Sequence, residues 1–170
     1  MNNITMVKAI NLALEKEVGA LLDADIQVLW QTGKLFKEQT ERLKKTYAGR
    51  ALHITEFIFE MDEAYAVADM VVSRAGAIAV SELCIVGKPT ILVPFPFAAE
   101  DHQTKNAQSL VETESAIMIA DNKVMADLVP TVIRLSGDKS LQQSLSTNIV
   151  KHALPNAAHD IALHVTGLIE

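Results

Sequence analysis

The stretch SRAGAIAVSELCIVGKP, residues 73–89, sets a single carboxylate, Glu82, in the middle of an otherwise apolar helical pattern. A charge in apolar surroundings must be paired or hydrogen-bonded, or its pKa shifts. Two arrangements meet that requirement. In one, Glu82 reaches the surface or pairs with a cation such as Arg74. In the other it accepts hydrogen bonds from a ligand diol, as acidic residues do for ribose in dinucleotide-binding folds. Just ahead of it, Gly76 lets a backbone pass close to a ligand. The free N–H groups of the following helix start attract anions such as phosphate.

A second stretch, FPFAAEDHQTKNA (95–107), gathers Glu100, Asp101, His102, Gln103 and Asn106 within a short span. That density of donors and acceptors suits a hydroxyl-rich ligand such as a sugar. It is equally met by Asp101 capping a helix with its neighbours solvated. A third, TEFIFEM (55–61), carries Phe57, Ile58 and Phe59 at the end of an apolar run. Taken alone it reads as core, although a strand end there could also form a slot for a flat base with backbone groups at its edge. No metal site is expected: Glu100, Asp101 and His102 are adjacent and do not converge. His53, His152, His159 and His164 lack ligand spacing apart from His159 with His164. The single cysteine, Cys84, sits in an apolar helix without a local base and reads as a buried structural thiol.

The elements that must position these residues alternate along the chain. Helical periodicity runs over 3–22, then a β-rich run at 26–30 and a charged helix over 34–47 closed by Gly49. Strand patterns at 51–57, 70–73, 90–95 and 116–120 are separated by helices at 61–67, 76–86 and 101–112. Helices near 123–136, 138–150 and 156–169 complete the chain, and Gly87 with Pro89 stops the helix that carries Glu82. Apolar strands separated by helices predict a doubly wound α/β domain with a parallel sheet covered on both faces. Ligands of such sheets sit at the carboxyl ends of the strands, which is where all three chemistry-bearing stretches fall.

The 170 residues are 49% hydrophobic and 21% charged with a net charge of −6, which fits one globular domain with a real core. The acidic balance argues against nucleic acid as a partner. The basic cluster Arg42, Lys44 and Lys45 shares its helix with Glu38 and Glu41 and reads as a solvated face. No apolar run approaches the ~20 residues of a membrane-spanning helix. No signal-peptide pattern opens the chain, and a lone cysteine suits a reducing cytosol.

Taken together, WQTGK (30–34), ITEFIFEM (54–61), AYAVADMVVSRAGAIAVSELCIVGKPTILVPFP (64–96), DHQTKNA (101–107) and LPNAA (154–158) carry a family likeness. They resemble the donor-binding, C-terminal half of the MurG family, the glycosyltransferase family 28 enzymes of GT-B fold that add N-acetylglucosamine in lipid II synthesis. The likeness runs over about residues 8–170. It implies that the backbone at Ile58 reads the uracil edge. Ala77, Ile78, Ala79, Val80 and Ser81, after Gly76, would face the diphosphate and ribose, with Glu82 on the ribose hydroxyls. Gln103, with Asp101, His102 and Asn106 close by, would hold the N-acetylglucosamine, and Arg74 matches the family's turn arginine, meeting ligand or bracing Glu82. The implied reaction is inverting transfer from UDP-N-acetylglucosamine to lipid I, without metal or other cofactor, by a cytoplasmic enzyme peripheral on the membrane.

Two departures qualify what the resemblance implies. The family's half opens with a strand and a Gly-Gly-Ser turn; here that turn aligns with Asn2, Asn3 and Ile4, and the strand is missing. The acceptor half, with the presumed base, is also absent, so lipid I would be reached only through it. These departures predict a single donor-binding domain over 1–170 that is inactive alone and self-associates across the exposed sheet edge. The alternatives are a catalytic subunit that pairs with a separate membrane acceptor subunit, a non-enzymatic interaction module, or a sister transferase for another sugar.

Overall fold

The computed structural model describes residues 8–167. Its strands are β1 (Val28–Gln31), β2 (Leu52–Thr55), β3 (Val71–Ser73), β4 (Thr90–Leu92) and β5 (Ile117–Met118). The helices are α1 (Lys8–Asp23), α2 (Lys37–Thr46), α3 (Met61–Val67), α4 (Ala77–Val86), α5 (His102–Val111), α6 (Val124–Gly137), α7 (Lys139–Ile149) and α8 (Ala157–Thr166). The doubly wound α/β reading therefore holds, with every strand pairing parallel. The Asn2–Ile4 alignment lies outside the described residues.

The strands are shorter than the apolar runs that announced them. The assigned strand within ALHITEF ends at Thr55 and that within TILVPF at Leu92, with single backbone bonds from the Glu56 carbonyl and the Val93 N–H continuing just beyond. Pro94, which has no N–H to donate, stands two residues past the end of the latter strand. Gly87 closes α4 in the left-handed conformation at φ 69°, its N–H bonded to the Leu83 carbonyl.

Among the described residues the strands form two sheets, β1–β2 and β3–β4–β5, rather than one. Helix α1 holds them together. Its Leu14 packs both against the β1–β2 cluster of Val18, Trp30, Leu43 and Ile54 and against the cluster under β3–β5. The latter joins α1 and α6 through Ile91, Val93, Leu128 and Leu135. The opposite face of β3–β5 is covered by Leu83 and Cys84 of α4, Leu110 of α5 and Ile149 of α7. The central strand β4 is wholly buried, and its site-facing end is thereby fixed from three sides. At the other extreme, α8 has no buried residue.

Candidate functional site

The carboxyl ends of β2, β3 and β4 carry the residues the sequence singled out. After β2, the ladder runs on for one turn: Thr32 N–H donates to the Thr55 carbonyl and Gly33 N–H to that of Glu56. The chain then leaves the sheet, and Phe57 and Phe59 stack edge to face at 5.0 Å in solvent, 53% and 81% exposed. Phe57 and Phe59 are therefore not core, because the strand ends before them and they stay exposed among the described residues, while Ile58 is half-buried. The Ile58 N–H is already engaged, donating to Gln31 Oε1 at 2.9 Å. Gln31, at the end of β1, thus occupies the backbone donor that sequence reasoning assigned to a base edge; a carboxamide oxygen offers the same acceptor as a pyrimidine carbonyl.

After β3, Arg74 turns away from Glu82. Its Nη1 donates to Asp121 Oδ1 at 2.6 Å and to the Val93 and Pro94 carbonyls at 3.1 and 3.3 Å. The guanidinium lies 5.8 Å from the centre of the Phe95 ring. The expectation that Arg74 braces Glu82 is corrected by this geometry: the arginine ties the ends of β3 and β4 to the loop after β5. Asp121, 47 residues further on, went unmarked in the sequence, where its only signal was a carboxylate directly after a strand.

Gly76 stands at the N-cap of α4 with φ −65°, a conformation open to any residue, and an added Cβ there would meet nothing within 4 Å. The backbone itself therefore does not call for glycine; only something approaching from outside could. Among the described residues no side chain caps the helix, which leaves the N–H groups of its first turn, Ala77, Ile78 and Ala79, without a side-chain partner there. Ala77 and Ile78 are exposed, Ile78 by 78%, while Ala79 and Val80 are half-buried. Ser81 and Glu82 are exposed as well, because the core-facing side of this largely apolar helix is made by Leu83 and Cys84, with Val80 half-buried against the same cluster. Glu82 is thus a surface carboxylate, and Tyr65 Oη of α3 donates to its Oε2 at 3.4 Å. Burial, then the charge and hydrogen bond of Glu82, raise the Tyr65 phenol above its ordinary 10.0, so at neutral pH it is a donor. Burial likewise raises the Cys84 thiol, which agrees with its structural reading. A cavity of about 470 Å³ between α3 and α4 is lined by Met61, Tyr65, Glu82 and Ile85.

After β4, two left-handed residues, Glu100 (φ 49°) and Asp101 (φ 57°), bend the chain into α5. Strain of this kind is retained where the surrounding contacts determine it, commonly at binding sites. Asp101 occupies the N-cap position without bonding a backbone N–H; it accepts from Thr104 Oγ1 at 2.6 Å instead. His102 is exposed and approaches Glu100 at 3.4 Å. Gln103 Oε1 accepts from the Phe95 N–H at 3.0 Å, and Asn106 Nδ2 donates to the Ala75 carbonyl at 3.0 Å. These two amides hinge α5 to the ends of β4 and β3. Among the described residues no three His, Cys, Asp or Glu side chains group as metal ligands, and no helix is long and apolar enough to cross a membrane.

The arrangement is a continuous rim: the Ile58 loop leads into α3, Tyr65 touches Glu82, α4 opens at Gly76, Asn106 holds Ala75, and Gln103 holds Phe95. A phosphate-bearing, hydroxyl-rich ligand is what uncapped helix amides, a carboxylate and carboxamides in sequence can bind. Family comparison supplies the class. The sequence matches the glycosyltransferase family 28 C-terminal domain over residues 5–161, and the chain belongs to that family.

Among curated relatives, the UDP-N-acetylglucosamine–N-acetylmuramyl-(pentapeptide) pyrophosphoryl-undecaprenol N-acetylglucosamine transferase of Cytophaga hutchinsonii is 46% identical over 95% of this chain and 43% of its own length. The enzyme of the same name from Parabacteroides distasonis is 41% identical over 96% of this chain and 44% of its own. The crystal structure of Acinetobacter baumannii MurG superposes with a TM-score of 0.75 at 25% identity, covering 92% of this chain and 48% of that one. The chain therefore spans less than half the length of the relatives it matches, and its fold is the Rossmann-like one of a GT-B glycosyltransferase's C-terminal domain.

Proposed function

We propose that this chain is the UDP-N-acetylglucosamine-binding half of an inverting N-acetylglucosaminyltransferase of lipid II synthesis. The observation that carries the reading is the run of Ile58, the open α4 start at Gly76, Glu82 and Gln103 along the strand ends, in the order of a base, a diphosphate with ribose, and a sugar. For the base to bond the Ile58 amide, the Gln31 carboxamide must swing off it, an exchange of one neutral acceptor for another. The α4 terminus carries about half a positive charge and meets the diphosphate without any side chain having to be displaced. Its N–H groups also serve the diphosphate as it departs, since charge grows there as the glycosidic bond breaks. Glu82 accepts the two ribose hydroxyls while Tyr65 holds one carboxylate oxygen in place. Gln103 keeps its oxygen on Phe95 and turns its NH2 to the sugar, with Asp101, His102 and Asn106 around it.

We assign none of these residues as the base for an acceptor hydroxyl, and place His102 with the group that meets the sugar. Acceptor binding and deprotonation are accordingly assigned to the portion of the relatives beyond the matched region, and the chain alone is expected to bind donor without transferring sugar. Calorimetric titration with UDP-N-acetylglucosamine, UDP-glucose and UDP tests this. Binding of the first with preference over the second supports the reading; equal affinity for both sugars points to a sister transferase; and absence of binding to all three refutes a donor site.

A further inference from the structure

At the end of β1 a buried carboxamide holds the backbone while an exposed one reaches toward the site. Asn11 of α1 is buried; its Oδ1 accepts from Trp30 Nε1 at 3.0 Å and its Nδ2 donates to the Thr32 carbonyl at 2.9 Å. Both bonds fall on the neighbours of Gln31, so one side chain fixes the chain on either side of it. Thr32 adds two ties to β2, its N–H and Oγ1 donating to the Thr55 carbonyl at 2.9 and 3.2 Å. Successive side chains of a strand point to opposite faces, and Gln31 is exposed between the buried Trp30 and Thr32. Its carboxamide is thus carried on a fixed stem, and its Oε1 accepts from the Ile58 N–H at 2.9 Å. The segment it meets is pinned as well, since Thr55 Oγ1 donates to the Phe57 carbonyl at 3.0 Å.

We infer that Gln31 reads the base of the nucleotide together with the Ile58 amide, an inference that rests on the donor-site reading above. A carboxamide carries an acceptor and a pair of donors on one carbon, and rotation of its end exchanges them. In the empty site the oxygen takes the Ile58 N–H. A pyrimidine carbonyl arriving at that N–H displaces the oxygen. The fixed stem keeps the carboxamide at the ring edge, where its NH2 donates to the same carbonyl. A carbonyl oxygen has two lone pairs and accepts both bonds. Uracil offers such an oxygen in O4, whereas cytosine sets the N4 amino group in its place. Gln31 can turn its oxygen to that amine, but the Ile58 N–H cannot turn. It then faces another donor and loses its acceptor, a cost that falls on the wrong base alone. The backbone donor is the rigid half of the reader and Gln31 the adjustable half.

UDP and CDP share ribose and diphosphate and differ at this base edge. Calorimetric titration of the full chain and of Gln31→Glu with both nucleotides tests the inference. The variant keeps an acceptor for the Ile58 N–H, but a carboxylate only accepts, so it opposes O4 and favours N4. The readout is the ratio of the two dissociation constants. Release of the bond to Ile58, and any repulsion between the new carboxylate and the diphosphate, are common to both nucleotides and cancel in that ratio. The expected result is a parent that prefers UDP and a variant in which the preference falls by about tenfold or more. A ratio within roughly threefold of the parent's, a ratio that rises, or loss of both nucleotides alike would overturn the inference. The donor site would then still stand on the parent's own binding of UDP. A parent that binds both nucleotides equally also overturns the inference alone, whereas a parent that binds neither refutes the donor site and this inference with it.

Discussion

Arg74 and Asp121 are the ion pair on which the site end of the sheet depends, and their environments differ enough to make the two deletions unequal. The arginine side chain is 14% exposed and the aspartate 26%. Removing one member of a fully buried pair costs ~3–5 kcal/mol because a bare charge remains. Asp121→Ala leaves the guanidinium on two backbone carbonyls with its Nε and Nη2 already unpartnered. Its cost should lie near the lower end of that range, about 3 kcal/mol. Arg74→Met leaves a carboxylate that water can reach and relieves the two orphaned donors, each of which costs ~1–3 kcal/mol while buried. The net loss should be about half as large, ~1.5 kcal/mol, and the double variant should resemble Arg74→Met, with a coupling of ~3 kcal/mol. At ~2–4 °C per kcal/mol for a chain of this size, the midpoints of the two single variants should differ by a few degrees. Urea unfolding followed by circular dichroism measures the cycle. Arg74→Met costing as much as Asp121→Ala, or a coupling near zero, would refute the assignment of this pair as the brace between β3, β4 and the β5 loop.

Two glycines should separate structure from ligand binding. Gly87→Ala forces a Cβ into a left-handed residue and to 2.6 Å from Val150 Cγ1, and should cost ~1–3 kcal/mol in the same unfolding assay. Gly76→Val should be close to neutral in stability, since its φ is ordinary and its surroundings open, yet weaken UDP binding in calorimetry by tenfold or more if diphosphate approaches there. Alkaline stability gives a further check. Tyr65 and Cys84 titrate above their ordinary 10.0 and 9.0 in the folded chain, so it binds more protons than the unfolded chain at alkaline pH. Their contribution is complete below pH 9, and is lost as pH rises through the raised folded values. Tyr65→Phe should flatten that decline above pH 10, measured as the urea midpoint against pH.

Local patterns in the sequence were sufficient for the order of elements and for the helix stop at Gly87, since those depend on neighbours in the chain. The strand ends were overextended because an apolar run says nothing about where a partner strand stops: Phe57 and Phe59 continue the β2 pattern but leave the sheet. Glu82 looked anomalous because α4 is largely apolar, and only packing reveals that Val80, Leu83 and Cys84 make its inward side while Glu82 does not. The pairing of Arg74 with Asp121, and of Ile58 N–H with Gln31, joins residues 47 and 27 positions apart and has no signature in either segment. Gln103 and Asn106 were singled out for a ligand; their bonds to Phe95 and Ala75 give them a structural duty as well, which spacing could not distinguish from binding.

Calorimetry of UDP-N-acetylglucosamine with the parent chain and with Glu82→Gln tests the donor-site reading most directly. Glu82 is exposed and its bond to Tyr65 is long, so the substitution should leave the unfolding midpoint unchanged. Loss of a charge-assisted pair of hydrogen bonds to a ribose is worth ~1.5–3 kcal/mol, or roughly 10- to 150-fold in Kd. The account predicts measurable binding by the parent and a weakening of that order in the variant. A parent that does not bind, or a variant that binds as tightly as the parent, would contradict it.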